Sequence, residues 1–402
     1  MKRHLVFTLA TLAGFVSQTH GQAQVLVDST TYPNLFNPAN SQVTVVPNST
    51  LGNLFGLNGT ASGALGTYWQ ADVNGGAIVV AVASTGAQAK LTGSALQFNV
   101  SNDPNTVLGS LGAGLSIDLS WAATATFNAS GATLNLQPNS TYRVSFDVVN
   151  GQGLLNSGLG ISPTFGVSLL NSQGNAIGVS TGGSVANILG LTLVNQGATG
   201  RATVDFKTGA SVPAGAAKLK FTGSANLPIS VGALGTTFAT VSNVSVSYVS
   251  PYTLYVESQG ITTPAAQDPN ADPDGDGRNN LGEFAFNSNA NVSDGGNQHY
   301  AIGDPDGGGP ETSAFVYTFP VRNGATFAPN GNTQLATVDG VHYQVEGSYD
   351  LASWTQAVSE VTPNGSYTSA LPALQTGWGY RSFRVAGQTT NTPKAFLRVR
   401  YY

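Results

Sequence analysis

The sequence contains no cysteine, so it has no disulfide framework, no thiolate metal site and no cysteine nucleophile. Its single methionine is Met1. Charge is scarce as well: 9% of the residues are Asp, Glu, Lys or Arg, and the net charge is −5. A nucleic-acid partner leaves a basic footprint, which this balance lacks. Coiled coils need far more Glu, Lys, Leu and Arg. Disorder is excluded from the other side, because it requires high charge with low hydrophobicity, and 41% of this chain is hydrophobic. Histidine and glutamate are missing where catalysis would want them: residues 25–250 contain neither. General acid–base chemistry leans on those side chains, and a glycosidase needs two positioned carboxylates. In that stretch only Asp28, Asp72, Asp103, Asp118, Asp147 and Asp205 are acidic. No catalytic residue is assigned.

What is present begins with a leader. Lys2 and Arg3 precede an apolar run from Leu5 to Val16, and small residues follow at Thr19, Gly21 and Ala23. This is the pattern of a secretory signal peptide over residues 1–23. The run is too short to span a bilayer, and no later segment is apolar enough. The expectation is a protein secreted to the extracellular space or cell surface, with no transmembrane segment.

The full sequence, of 402 residues with 50 glycines and 19 prolines, has a prior of two or three domains. Its charges divide it. Residues 25–250 carry six acidic and six basic residues, whereas residues 251–320 carry ten acids against Arg278 alone. Across 25–250, Tyr142, Val144, Phe146 and Val148 alternate with polar residues, as do Val204 with Phe206 and Leu219 with Phe221. A period of two gives strands with one buried face. Residues 165–169 and 176–180, joined through Asn171–Asn175, read as a hairpin. The apolar glycine segments at Leu108–Gly112 and Ile188–Leu191 are expected to fold back onto the core. Residues 341–401 alternate again, through Val341, Tyr343 and Val345 and through Leu397, Val399 and Tyr401. The fold class expected is all-β: a large antiparallel, jelly-roll-like β-sandwich over 25–250, a helix–calcium loop–helix junction over 251–295, and a linker with a small β-sandwich over 296–402.

The most specific motif is Asp272-Pro-Asp-Gly-Asp-Gly-Arg-Asn-Asn-Leu-Gly-Glu283. It matches the twelve-residue EF-hand loop at positions 1, 3, 5, 6, 9 and 12. Asp272, Asp274 and Asp276 converge as the chain curls, Gly277 allows the sharp turn, and Arg278 offers its carbonyl. Asn280 acts through water, and Glu283 closes the shell with both oxygens. Chance produces such a match about 3 × 10⁻⁵ times in a chain of this composition. Calcium is the expected cofactor. Ser250 and Pro251 form an N-cap and N1 pair opening a short helix that Gly260 ends, and Leu281 to Phe286 form a second. Position 8, usually aliphatic and bridging to a partner loop, is Asn279. The acidic turn Asp304-Pro-Asp-Gly307 echoes the motif without its later ligands.

Residues 252–261 together with 272–286 resemble the aromatic-helix, D-x-D-x-D-G, N-L-x-E-F-A module of secreted bacterial proteins, a relative of thrombospondin type 3 and dockerin-like calcium repeats. His342 to Trp354 and Lys394 to Arg400 resemble the β-sandwich that often follows that module. The resemblance spans 251–402 and implies calcium at Asp272, Asp274, Asp276, Asn280 and Glu283, with no enzymatic activity. More weakly, Asn139 to Val148 and Val241 to Tyr248 look like strands of galactose-binding-like jelly rolls, a fold that often binds glycans.

Gly178-Val-Ser180-Thr-Gly182 matches the nucleophile-elbow pattern, but about 0.6 such matches are expected by chance and the elbow needs a strand-to-helix turn. Tyr68, Trp69 and Trp121 are the candidate sugar platform, since aromatic faces stack on sugar rings; core packing is the competing assignment for each. His342 falls on the polar side of its strand. The function expected is a secreted, non-catalytic calcium-binding protein serving glycan binding or cell-surface adhesion. A structural subunit of an extracellular matrix or appendage and a polysaccharide-active enzyme are the alternatives.

Overall fold

A computed structural model describes residues 24–45, 57–78, 83–102, 118–127, 134–150, 164–177, 179–180, 186–187, 199–228, 237–293, 299–303, 314–363, 365–369, 371–387 and 394–402. The leader, the two apolar glycine segments and the Asp304–Gly307 turn lie outside them. Two compact units emerge, with Ala23–Val249 in one and Ser250–Tyr402 in the other.

The strands of the first unit are Gln24–Val27 (β1), Gln42–Val45 (β2), Leu57–Leu65 (β3), Trp69–Ile78 (β4), Ala83–Leu91 (β5), Leu96–Asn102 (β6) and Asp118–Phe127 (β7). Thr141–Asn150 (β8), Thr164–Leu170 (β9), Val179–Ser180 (β10), Ala186–Asn187 (β11), Thr199–Lys207 (β12), Lys218–Pro228 (β13) and Thr237–Val249 (β14) complete it. They pair in the order β10-β12-β8-β14-β6-β5-β4-β7-β13-β9-β11, with β1 on β14, β2 on β5 and β3 on β4. Every pairing is antiparallel.

The array folds over at β5, which crosses from β6 to β4 through Ala77–Ser84 and Ile78–Ala83. Its inner faces meet as the two layers of a sandwich. Phe98 of β6 packs on Phe165 of β9 at 5.9 Å between ring centroids, and Phe146 of β8 packs on Phe221 of β13 at 5.0 Å. The alternation along β8 explains this: Tyr142, Val144, Phe146 and Val148 are all buried, as a period of two requires for one face. The fold is all-β, with an antiparallel sandwich at its centre.

The hairpin expected over 165–180 forms beside its turn. Ile177 N–H donates to Leu169 O at 2.8 Å, and Leu170 bridges Ala176. Beyond that point the chain leaves β9. Val179 and Ser180 pair instead with Lys207 and Phe206 of β12, while β9 pairs with β13 and β11. Ser180 therefore sits in a short strand paired with β12, and the three glycine and threonine positions of the nucleophile-elbow pattern, Gly178, Thr181 and Gly182, lie outside the described residues.

The second unit opens with two short helices, Pro251–Ser258 (α1) and Asn280–Phe286 (α2). The strands His299–Gly303 (β15), Ala314–Arg322 (β16), Ala328–Asn330 (β17), Thr333–Val338 (β18), Val341–Ser348 (β19) and Val358–Val361 (β20) follow. The single turn Gly365–Thr368 (α3) precedes Trp378–Val385 (β21) and Phe396–Tyr401 (β22). Two four-stranded sheets result, β15-β16-β21-β20 and β17-β18-β19-β22.

Their common core includes both helices. Phe286 of α2 meets Phe319 of β16 at 6.0 Å, Tyr343 of β19 at 6.1 Å and Tyr401 of β22 at 5.4 Å. Phe284 meets Tyr252 of α1 and Trp378 of β21. Helices this short do not persist alone; here their aromatic residues are part of the sandwich interior. Among the described residues no helix is long and apolar enough to cross a membrane.

Candidate metal site

The site begins with two local signals in the chain. Ser250 Oγ accepts from Thr253 N–H at 3.0 Å, and Pro251 takes the first helical position. Its missing N–H costs nothing there, and the serine satisfies one orphan donor. Asn279 plays the corresponding part for α2, its Oδ1 accepting from Gly282 N–H at 2.9 Å. This gives the unusual residue at loop position 8 a purpose: it caps the exit helix. Asn287, in the left-handed region at φ 57°, ends that helix.

Between the helices the loop is ordered by its own carboxylates. Asp272 Oδ1 accepts from Gly275 N–H at 2.9 Å and its Oδ2 from Gly277 N–H at 3.0 Å. Asp274 accepts from Asp276 N–H, and Asp276 from Arg278 N–H. Gly277 has φ +92°, a conformation that a side chain would strain. The curl brings ligand oxygens of Asp272, Asp274 and Asp276 within 4.8 Å of one another. Crowding acts on the middle carboxyl. Burial, followed by the neighbouring charges of Asp276 and Asp272, raises Asp274 above the ordinary aspartate value.

The later positions of the motif also tie the loop to its surroundings. Arg278 extends its side chain to Ser288 Oγ at 2.6 Å and over the Phe286 ring, tying the loop to the far end of α2. Asn280 is 0% exposed. Its Nδ2 donates to Ala266 O at 2.7 Å and Asp268 O at 2.9 Å, which fixes the amide orientation. The opposite atom, Oδ1, is buried without a hydrogen-bond partner, and so is Asp274 Oδ2. Glu283 is likewise 0% exposed, in the first turn of α2. Glu283 lies outside the three-carboxylate group.

The donors available are oxygens only, several of them charged, which suits a hard divalent cation. Two buried acceptor oxygens without partners, at Asp274 and Asn280, are what a cation would satisfy. The residues present therefore fit a hard divalent cation held by oxygen donors.

Behind the loop, carbonyls at the end of α2 and just past it are met by aromatic donors from the sandwich strands and from α1. Trp378 Nε1 donates to Phe284 O at 2.8 Å, Tyr343 Oη to Ala285 O at 2.8 Å, and Tyr255 Oη to Ser288 O at 2.9 Å. Tyr401 Oη donates to Asn279 Oδ1 at 3.2 Å. Nothing in the sequence marked these residues as supports. The nearest signal was that Tyr343 and Tyr401 lie on the apolar side of their alternating strands.

The aromatic platform expected in the first unit does not form around Trp69. That residue is 3% exposed, its Nε1 donates to Leu35 O at 2.7 Å, and its ring packs on Phe36, Phe127 and Phe221. Burying a large ring and satisfying its one donor outweighs leaving it in water. Tyr68 is half-buried against Tyr32 at 5.2 Å. Trp121 lies on β7, opposite Ala225 and Gly75, and its side chain is outside the described set. In the second unit His342 is exposed, as its strand pattern required.

No family model matches the chain, and no curated protein matches it. Among solved structures, a Stig cyclase from Fischerella sp. TAU is 12% identical over 57% of this chain and 98% of its own, at a TM-score of 0.21. The apo form of a cyclase from Fischerella sp. is 12% identical over 56% and 97%, at 0.22. TmCBM27, a carbohydrate-binding module that recognises mannan, is 15% identical over 40% and 78%, at 0.21. Scores this low carry neither the cyclase's chemistry nor the module's ligand over to this chain.

Proposed function

We propose that this chain is a secreted, non-catalytic calcium-binding protein that attaches to extracellular glycans or cell surfaces. The observation that carries the calcium part is the Asp272–Glu283 loop. Three of its carboxylates converge within 4.8 Å, and it holds buried, unpartnered acceptor oxygens at Asp274 and Asn280. The likeness of 251–402 to D-x-D-x-D-G modules of secreted bacterial proteins points the same way, and the leader at 1–23 supports export. For the glycan part, the two segments that look like galactose-binding-like strands, Asn139 to Val148 and Val241 to Tyr248, are neighbours in one layer through the β8–β14 ladder. The scarcity of His and Glu supports the absence of catalysis.

Calcium binding by this loop is a folding matter. Without the ion its carboxylates repel; with it, ligand free energy becomes folding free energy of the unit whose core contains Phe284 and Phe286. A solitary extracellular loop binds in the range of about 10⁻⁴–10⁻³ M. At 100 times Kd the linkage is about 2.7 kcal/mol, which for a unit of this size raises the melting temperature by about 5–10 °C. Calorimetry of the full chain in about 10 mM calcium against chelator tests this. One transition should move and the other stay, and Asp272→Ala should remove the difference. If neither moves, the loop is an acidic turn. A glycan array probed with the calcium-loaded chain tests the attachment, and retention on no sugar removes the glycan part.

A further inference from the structure

Ahead of the loop the chain runs from Ile261 to Ala271 without helix or strand, and Ile261 is its one buried residue. A segment with so little apolar anchorage is held by hydrogen bonds or not at all. Its carbonyls turn toward the start of α2. Asn280 N–H donates to Ala271 O at 2.8 Å and Leu281 N–H to Pro269 O at 3.0 Å, which satisfies two orphan donors of that helix. The side chain of Asn280 adds two more bonds, from Nδ2 to Ala266 O and Asp268 O. From α1, Tyr252 Oη donates to Gln267 O at 2.9 Å.

The amide of Asn280 is therefore committed at one end only. Two carbonyl oxygens can face it only at its nitrogen, since an oxygen placed there would meet two acceptors with no proton between them. The other end, Oδ1, is wholly buried and has no partner. A buried acceptor left unmet destabilises the fold around it, and a cation in the loop meets it. With the ion present the amide plane is held from both ends; without it, the two carbonyls hold it alone.

We propose that Asn280 is the positioning residue through which a cation in the loop fastens the 261–271 segment onto α2, so that the site accepts an amide at this position and rejects a carboxylate. This deepens the metal reading above and rests on it. Charge alone says the reverse. Ligand charge and rigidity tune the affinity of loops of this kind, and Asn280→Asp would add a carboxylate to those of Asp272, Asp274, Asp276 and Glu283. The geometry overrides that gain. Aspartate has no N–H, so one of its oxygens would stand against Ala266 O and Asp268 O, where the structure needs a donor. The segment would be pushed off the helix, and the ligand would lose the frame that positions it.

Titration calorimetry and hydrogen exchange of the full chain test the proposal, with calcium chloride against chelator. In the unchanged chain calcium should slow exchange at Gln267 and Ala271, whose N–H groups bond within the segment, as well as at Gly275 and Gly277 of the loop. Asn280→Asp should bind calcium about tenfold more weakly, the value of one or two lost hydrogen bonds. In Asn280→Ala at saturating calcium, the loop should still be slowed and the segment not, a pattern that a general loss of stability does not produce. Binding by Asn280→Asp as tight as that of the unchanged chain overturns this inference and leaves the metal reading standing. So does equal exchange at Gln267 and Ala271 with calcium and with chelator in an unchanged chain that gives binding heat, a measurement that needs no variant to fold. Absence of binding heat together with an unmoved melting transition removes both.

Discussion

Replacing Gly282 with alanine brings two effects of opposite sign into one atom. Gly282 lies inside α2, where alanine is better than glycine by about 1 kcal/mol. Propensity alone therefore says the variant is stabilised. The surroundings say otherwise. A Cβ at this position would stand on the phenol of Tyr401, 2.6 Å from its Cζ and 2.9 Å from Arg278 Cγ. Neither neighbour moves cheaply. Tyr401 is fixed by its edge-on contact with Phe286, by its hydrogen bond to Asn279 and by the pairing of β22 with β19. Overpacking of this kind costs about 1–3 kcal/mol, and displacing the tyrosine forfeits a hydrogen bond of about 1 kcal/mol.

The net expectation for Gly282→Ala is a loss of about 1–3 kcal/mol, which lowers the melting temperature of the second unit by about 3–9 °C. Calorimetry of the full chain measures it, and Tyr401→Leu supplies the other edge of a double-mutant cycle. In the Tyr401→Leu background the obstruction is gone, so Gly282→Ala should be neutral or stabilising. A raised melting temperature for Gly282→Ala in the otherwise unchanged chain would refute the close approach. An equal loss in both backgrounds would show that the strain does not come from Tyr401.

Trp69→Phe should cost the first unit about 1–3 kcal/mol in urea unfolding, because Leu35 O loses its buried donor; unchanged stability with lost glycan retention would return Trp69 to the surface. Asp147 is held below the ordinary aspartate value, chiefly by a hydrogen bond from the Asn243 amide and then by Arg201. A depressed folded value adds stability above the unfolded value, and that stability is lost as pH falls through the folded one. Asn243→Ala should raise Asp147 toward the ordinary value in a carboxyl NMR titration; an unmoved titration would remove the hydrogen bond as the cause.

Features whose causes lie within a dozen residues were legible in the sequence. The D-x-D-x-D-G spacing is one, since a twelve-residue loop needs its carboxylates at alternate positions and a glycine at the turn, and Gly277 takes the left-handed conformation that spacing demanded. The Ser250-Pro251 helix start is another, because capping is a local hydrogen bond. The strands at 142–148, 341–345 and 397–401 followed from a period of two, and so did the exposure of His342.

Tertiary structure alone decided which strands meet. The segment around Ser180 looked like the return arm of a hairpin. Partner choice, however, depends on burial across the whole sheet, and Val179–Ser180 joins β12 instead. Trp69, set among glycine and threonine, stood between a sugar platform and core packing in the sequence, and the closing of two layers around Phe127 and Phe221 decided for the core. Asn279 departed from the calcium-loop pattern for a reason visible only with α2 in place, where it caps the helix and receives the Tyr401 hydroxyl. The loop itself was written in consecutive residues. Its anchoring through Phe284 and Phe286 was not, nor was the assembly of Glu346, Arg398 and Trp354 on the far side of β22. Those contacts include pairs far apart in the chain, such as Phe286 with Tyr401 and Trp354 with Arg398, and only the register of packed strands brings such positions together.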